Sequence, residues 1–134
     1  MSSVISVRLR ILVVEDNQDG ADTIARILRL WGQEARIARD GRAGVEEAKL
    51  FRPDVVLMDI GLPILNGFEA ARQVRTALGP AVTLVALTAC SSDADRKRGR
   101  EAGFDHYLVK PVLPSTLQLI LSTAGESKSA KELT

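Results

Sequence analysis

Four short apolar segments, rich in branched residues and separated by helical patterns, limit what this chain can fold into. They are Ile11–Val14, Val55–Met58, Val82–Leu87 and Tyr107–Val109. Nearly continuous apolar runs of this length are typical of strands buried on both faces of a parallel sheet. A fifth and weaker run, Glu34–Ala38, mixes polar and apolar residues and predicts a partly exposed edge strand.

Segments with a helical spacing of apolar residues lie between and after these runs. We expect helices at Asp19–Leu30, Ala43–Leu50, Phe68–Leu78, Asp93–Ala102 and Leu113–Thr123. Strands that alternate with helices of this length predict right-handed βαβ crossovers and a parallel sheet covered by helices on both faces. Among doubly wound α/β folds, five βα units, written (βα)5, fit the flavodoxin-like strand order 2-1-3-4-5.

Length, composition and charge narrow the class of protein. The 134 residues are 46% hydrophobic and 26% charged, which is typical of one globular domain and excludes a disordered chain. No apolar run approaches the roughly 18–20 residues of a membrane span, and the first residues do not resemble a secretory signal. With a single cysteine, Cys90, we expect a cytoplasmic location. The net charge of +1 argues against an independent nucleic-acid-binding domain.

Each of the four strongly apolar strands runs into a polar residue. Glu15 and Asp16 follow the first strand and Asp59 follows the third, while Thr88 and Lys110 follow the fourth and fifth. In an open α/β sheet, sites form at the carboxyl ends of the strands where the strand order reverses, here between the first and third strands. We therefore expect Asp16 and Asp59 about 5 Å apart. The Lys110 side chain can largely span the two strand spacings, about 10 Å, between itself and Asp59.

The expected cluster of Glu15, Asp16 and Asp59 favours a metal-assisted phosphoryl transfer. Carboxylates this close disfavour one another's ionisation unless a cation lies among them, and Mg²⁺ suits a few carboxylates plus waters. An aspartate beside a metal, a hydroxyl and an ammonium can accept a phosphoryl group. Each residue alone has a simpler interpretation, since Asp16 or Asn17 can cap the next helix and Lys110 can be a surface lysine. The combination on one sheet edge favours the chemistry.

Four segments, taken as an ordered set, resemble the receiver domain of two-component response regulators. They are ILVVEDN at 11–17, PDVVLMDIGLPILNG at 53–67, LVALTA at 84–89 and GFDHYLVKP at 103–111. The resemblance covers residues 9–124 and leaves an N-terminal extension at 1–8. The polar tail GESKSAKELT at 125–134 lacks an apolar stripe, and we expect it to be disordered or a linker. The segments DIGLP and HYLVKP are similar to receivers fused to hybrid histidine kinases.

The resemblance implies roles for the acidic residues. It makes Asp59 the phosphoacceptor and assigns Glu15 and Asp16 to a pocket for Mg²⁺, or for Mn²⁺ in its place. Asp59 itself and the backbone carbonyl of Gly61 would complete the metal ligands. Such a domain is a phosphoacceptor whose only catalysis is metal-dependent transfer to itself and later hydrolysis.

The resemblance also implies a conformational switch. Lys110 becomes the phosphate partner, joined to Pro111 by a peptide bond that is typically cis in the family. Thr88 becomes the switch hydroxyl and Tyr107 the switch aromatic residue. If Thr88 is drawn toward the phosphoryl group, the Tyr107 ring gains room to turn inward. The simpler interpretation of Tyr107 is a half-buried ring with its hydroxyl in water.

The partners follow from the same resemblance. The phosphodonor would be a histidine kinase, a histidine phosphotransfer protein or a small molecule, and an output partner would bind the face formed by the fourth helix, fifth strand and fifth helix. The candidate donor contacts on the first helix are Asp19, Asp22 and Arg26. The basic run of the fourth helix is read as a solvated face, with a partner contact as the alternative: Arg96, Lys97, Arg98 and Arg100. We expect no direct contact with nucleic acid or membrane.

The segment after the last expected helix is short. About ten residues after the last helix cannot hold an output domain, so we expect a stand-alone regulator or a part of a longer chain. In the family that the chain resembles, the positions of Gly61 and Cys90 often carry side chains that tune the lifetime of the phosphorylated form. Gly61 and Cys90 are small and orient water poorly. Carboxylates near Cys90 disfavour a reactive thiolate, so a redox-sensing role is disfavoured. We expect structural roles for His106 and Trp31.

Three alternative functions fit these residues less well than a receiver domain does. A phosphohydrolase of the haloacid-dehalogenase type would carry a second acid at the position of Gly61 and a cap domain. A nucleotide- or flavin-binding domain would carry a glycine-rich phosphate loop or the P-loop lysine pattern. A pure interaction module would not need the complete set of acids, threonine and lysine.

Overall fold

The computed structural model describes residues 7–89 and 92–133, with side chains to residue 130. The predictions for residues 1–6 and for Cys90 lie outside these described residues. The strands are β1 (Arg10–Val14), β2 (Glu34–Ala38), β3 (Val55–Asp59), β4 (Thr83–Thr88) and β5 (His106–Val109). The helices are α1 (Gln18–Leu30), α2 (Gly41–Phe51), α3 (Gly67–Leu78), α4 (Asp93–Ala102) and α5 (Pro114–Leu133). None of these helices combines the length and apolar character needed to cross a membrane.

One parallel sheet in the order β2-β1-β3-β4-β5 forms the centre of the molecule, which confirms the predicted topology. Because successive side chains of a strand point to opposite faces, β1 contributes to two apolar clusters. Leu12 and Val14 pack with α2, α3 and α4, whereas Ile11 and Val13 pack with α1 and α5. The core therefore lies in two layers, one on each face of the sheet.

The edge strands differ from the central ones. The prediction that β2 is a partly exposed edge is confirmed, since in the described part of the chain it pairs only with β1 and Arg36 is exposed. The prediction that Tyr107–Val109 is buried on both faces is wrong, because β5 pairs only with β4 within the described residues and its side chains are half-buried or exposed. A short apolar run cannot by itself distinguish a central strand from an edge strand.

Side-chain caps begin the first four helices. Asn17 accepts a hydrogen bond from the N–H of Gly20 at 2.8 Å, which settles which of the two candidate residues caps α1. Asp40, Asn66 and Ser92 cap α2, α3 and α4 in the same way. Because Asn17 is the cap, the carboxylate of Asp16 does not have to serve as one.

The last helix is longer than predicted. The sequence predicts a disordered tail or a linker from Gly125, whereas in the structure α5 continues to Leu133. Lys128 donates hydrogen bonds to the carbonyl of Arg8 and to Asp54 Oδ2, both at 3.1 Å. Polar contacts of this kind leave no apolar stripe in the sequence. Near the other end of the chain, Val7 packs against the core, so contacts with the core begin before residue 9.

A close backbone approach fixes the loop between β3 and α3. A Cβ atom on Gly41, at the start of α2, would lie 1.7 Å from the carbonyl oxygen of Leu65. The Gly41 N–H also donates to the carbonyl of Pro63 at 3.5 Å. A side chain at position 41 would therefore displace the loop that follows Asp59.

We predict that Gly41→Ala lowers the free energy of unfolding by about 1–3 kcal/mol, because backbone must move to admit the methyl group. The matched control is Gly20→Ala in α1, where the new Cβ would meet only ordinary contacts with Asn17. That control should gain up to about 1 kcal/mol from helix propensity. Urea unfolding measures both changes, and equal midpoints for the two variants would contradict the close approach.

Candidate functional site

Three strand ends bring one ammonium and two carboxylates together. Lys110 follows β5, and its Nζ atom donates to Glu15 Oε1 at 2.6 Å and to Asp59 Oδ2 at 2.9 Å. The prediction that the lysine side chain spans from β5 across β4 to β3 is confirmed by these contacts. The lysine thus joins residues 95 and 51 positions away in the sequence.

Glu15, Asp16 and Asp59 form a compact acidic cluster. One carboxylate oxygen from each lies within 4.8 Å of the others. Within residues 7–89 and 92–133, this is the one group of three or more such side chains close enough to hold a metal ion. Glu15 is buried, Asp59 is largely buried and Asp16 is exposed to solvent. The cluster is therefore open on the side of Asp16.

The two buried carboxyls differ in how they ionise. Burial raises the pKa of Glu15 above its ordinary value, although the Lys110 ammonium acts against this. Burial also tends to raise the pKa of Asp59, but the Gly61 N–H and Lys110 outweigh it, so this pKa lies below its ordinary value. For Lys110, burial is outweighed by the hydrogen bonds to both carboxylates, and its pKa is raised. Asp59 is thus held as a carboxylate beside a charged ammonium.

The donor set fits a hard divalent cation. Carboxylate oxygens are the ligands that Mg²⁺ takes, usually together with several waters. Asp59 Oδ1 accepts a hydrogen bond from the Gly61 N–H at 2.8 Å, which fixes the orientation of this carboxylate. With three carboxylates and one ammonium, the fully ionised cluster keeps two negative charges. A divalent cation would balance them.

Thr88 and Tyr107 lie on the same side of the sheet. Ala86 pairs with Tyr107 across β4 and β5, and both pack in the cluster under α2, α3 and α4. Thr88 lies two residues beyond Ala86 and so points to that side as well. It is buried at the end of β4, and its carbonyl accepts the Lys110 N–H at 2.6 Å. These two residues are therefore placed on one face, next to the acidic cluster.

Contacts between α4 and aromatic rings were not predicted. The guanidinium of Arg96 lies 5.6 Å from the ring centroid of Tyr107, and that of Arg98 lies 4.2 Å from the ring centroid of Phe68. The basic run is exposed, as expected, but two of its members cover rings rather than facing solvent alone. The spacing of basic residues within α4 does not predict these contacts, because the two rings belong to β5 and α3.

The structure also locates the other residues that the sequence analysis singled out. The Lys110-Pro111 peptide bond is cis, which confirms that expectation. Trp31 packs against the apolar cluster under α1 and α5, as predicted. His106 is half-buried at the start of β5. On the outer face of α1, Asp19, Asp22 and Arg26 are exposed.

We predict that Lys110→Met destabilises the domain by about 1–3 kcal/mol at neutral pH, because it leaves a buried Glu15 carboxylate without its cation. Since the pKa of Glu15 is raised in the folded state, its ionised form opposes folding, and the loss shrinks as the pH falls through that pKa. Urea unfolding at pH 7 and at pH 5 measures this difference.

The control is Lys128→Met, which removes a part-exposed pair with Asp54. It should cost less than about 1 kcal/mol and change little between the two pH values. A Lys110→Met loss that is the same at both pH values would contradict the assignment to Glu15.

The family model described as the response regulator receiver domain matches residues 11–122. The transcriptional regulatory protein CreB of Escherichia coli is 39% identical over 107 residues, which are 80% of this chain and 46% of CreB. The transcriptional regulatory protein PrrA of Mycobacterium tuberculosis is 41% identical, over 81% of this chain and 46% of that protein. The chain thus spans about half the length of the curated relatives it matches.

Solved structures give the same answer for the fold. The receiver domain of a sensor histidine kinase of Pseudomonas aeruginosa, with magnesium in its active site cleft, matches with a TM-score of 0.81 and 37% identity, over 89% of this chain and 98% of that one. The receiver domain of Ssk1 of Saccharomyces cerevisiae, solved with the histidine phosphotransfer protein Ypd1, matches with a TM-score of 0.84 and 28% identity, over 91% and 92% of the two chains. The chain belongs to the receiver domain family of response regulators in two-component signalling.

Proposed function

We propose that this domain accepts a phosphoryl group on Asp59 from a phosphohistidine donor and changes its signalling surface in response. The observation that carries the proposal is the Lys110 ammonium, which contacts Glu15 and Asp59 at the edge of the acidic cluster. An aspartate held ionised beside a lysine is suited to act as a nucleophile toward phosphorus.

In the proposed step, a carboxylate oxygen of Asp59 forms a bond to phosphorus while the bond from phosphorus to the donor imidazole nitrogen breaks. The imidazole leaves with the electron pair and takes up a proton. Lys110 offsets the negative charge of the phosphoryl oxygens, and the Thr88 hydroxyl together with backbone N–H groups donates hydrogen bonds to them. Later attack by water on phosphorus returns Asp59 and inorganic phosphate, and no other catalysis is proposed.

The acidic cluster would hold the cation that this step needs. We propose Glu15, Asp16, Asp59 and the backbone carbonyl of Gly61 as its ligands, directly or through water. When bound, Mg²⁺ or Mn²⁺ supplies neutralising charge to the phosphoryl oxygens. The magnesium in the receiver of the P. aeruginosa kinase supports this choice. The open side of the cluster, at Asp16, gives an ion access from solvent.

The proposed switch is the pair Thr88 and Tyr107. Movement of the Thr88 hydroxyl toward a phosphoryl group on Asp59 would vacate space on the face that Tyr107 shares, and the ring would turn into it. The surface of α4, β5 and α5 would then differ between the two states. Exposed apolar side chains of this surface support a protein contact there: Val109, Leu113 and Leu119.

For the donor, we propose a histidine kinase or a histidine phosphotransfer protein, in the cytoplasm. The Ssk1 receiver solved with Ypd1 supports this class of donor. The exposed α1 residues Asp19, Asp22 and Arg26 are proposed as donor contacts. The chain spans only about half the length of the curated relatives named as transcriptional regulators, and we propose no direct nucleic-acid contact for the domain itself.

We predict that incubation with acetyl phosphate and Mg²⁺ adds one phosphoryl group to the wild-type chain, as measured by intact mass. Asp59→Asn should gain none, because an amide oxygen is a poor nucleophile. A chelator should abolish the gain in the wild type. If Asp59→Asn gains the same mass as the wild type, the assignment of the acceptor is wrong.

A second prediction concerns the switch. Tyr107 is the only tyrosine of the chain, so selective labelling of tyrosine with ¹³C gives ring signals from this residue alone. Addition of a beryllofluoride mimic should shift these signals in the wild type and shift them much less in Thr88→Ala, which lacks the hydroxyl. Equal shifts in both proteins would contradict the coupling of the two residues.

A further inference from the structure

The loop between β3 and α3 holds Ile64 in an unusual conformation. Its φ is +70°, and the N–H of Leu65 donates to the carbonyl of Pro63 at 2.7 Å, which closes a three-residue turn around Ile64. A positive φ is unfavourable for any residue with a Cβ atom and most unfavourable for a β-branched one. Asparagine and glycine adopt this conformation at lower cost.

The rest of the loop leaves Ile64 little freedom to relax. Leu62 is buried, and Leu65 packs against the apolar cluster under α2, α3 and α4. The carbonyl of Leu65 lies against Gly41, and Gly67 lies against the backbone of β3 so closely that a Cβ atom would be 2.6 Å from the carbonyl oxygen of Asp59. The backbone is thus fixed on both sides of the strained residue.

The strained residue Ile64 lies at the surface of the domain. The residue is 74% exposed, so burial in this domain does not offset the unfavourable φ. The other residue with a positive φ and a Cβ atom is Arg52, which is unbranched and ends α2 with its N–H bonded to Ala48. Arg52 therefore ends a helix in this conformation, whereas Ile64 is held in it by the turn between Pro63 and Leu65 and by the packing of the loop.

Ile64 lies close to the proposed phosphoacceptor. Gly61 bonds directly to Asp59 Oδ1, and Ile64 follows three residues later, so its Cα atom lies within about 11 Å of that of Gly61. The Asp59 side chain is only 14% exposed. A protein that delivers a phosphoryl group to this recessed carboxylate must therefore cover the surrounding loops. A small phosphodonor does not have to touch them.

We propose that Ile64 is an apolar docking contact for the protein that donates the phosphoryl group, and that its side chain becomes buried in the transfer complex. The proposal rests on the proposed function, because it assumes that Asp59 is the acceptor. Burial of an exposed aliphatic side chain stabilises a complex, and the rigid loop presents it without further ordering. The contact would favour protein donors over small molecules.

The test compares two kinds of donor on the same variants. Phosphorylated histidine phosphotransfer domains are screened, and the one that transfers fastest to the wild type is used beside acetyl phosphate with Mg²⁺. Ile64→Asn should lower kcat/KM for the protein donor about tenfold, mainly through KM, as expected for one aliphatic side chain left exposed. Its rate with acetyl phosphate should equal that of the wild type, and its unfolding midpoint should not fall.

Two further variants test whether the effect requires an apolar side chain and whether it is confined to position 64. Ile64→Leu keeps an apolar side chain and should retain most of the protein-donor rate. Leu50→Gln removes an equally exposed apolar side chain near the end of α2 and should change neither rate.

Equal kcat/KM for Ile64→Asn and the wild type with the protein donor would overturn the proposal, as would a lowered unfolding midpoint or a parallel loss with Leu50→Gln. A wild type that accepts from acetyl phosphate but from no phosphotransfer domain would overturn the docking role alone. Failure with both donors would overturn the proposed function itself.

Discussion

The pairing of a buried carboxylate with a lysine from the far side of the sheet governs how the polar edge of this domain is built. Glu15 is 2% exposed, and a carboxylate in such a place is tolerated when a cation and hydrogen bonds compensate its lost hydration. Lys110 supplies both, together with the N–H of Asn17. Because Lys110 follows β5, the contact depends on the register of β5 on β4 and of β4 on β3. A slip of one residue would turn the lysine to the other face of the sheet.

Even with the Lys110 contact, the ionised acidic cluster carries more negative than positive charge. One ammonium faces three carboxylates, and the lowered pKa of Asp59 keeps that residue ionised although it is largely buried. Transfer of a phosphoryl group would add further negative charge at the same point, so the site suits the reaction with a divalent cation and Lys110 together. Asp16 and Lys110 both follow the ends of strands. Under the proposed function, Asp16 would bind the cation and Lys110 would offset the charge of the phosphoryl group.

How far the sequence predicts the structure depends on the range of the interactions. The apolar runs predict the central strands, and the polar residues at their ends predict the contact of Lys110 with Asp59, because parallel strands place their ends along one edge. The position of β5 at the exposed edge was not predicted, because a run of apolar residues does not indicate how many strands pair with it. The continuation of α5 beyond Gly125 was not predicted, because Lys128 binds polar partners that are distant in sequence. The positive φ of Ile64 was missed because the turn is imposed by packing on Gly41 rather than by glycine or asparagine at the turn itself.

Packing around Tyr107 is the route by which the proposed switch would reach the surface. A Cβ atom at Gly99 would lie 3.1 Å from two ring carbons of Tyr107, so α4 rests directly on the ring through its glycine. Arg96 covers the same ring from one turn earlier in α4. A ring that turned toward Thr88 would leave both of these contacts with α4. The basic helix would then shift with the ring, because a close-packed contact has few intermediate arrangements.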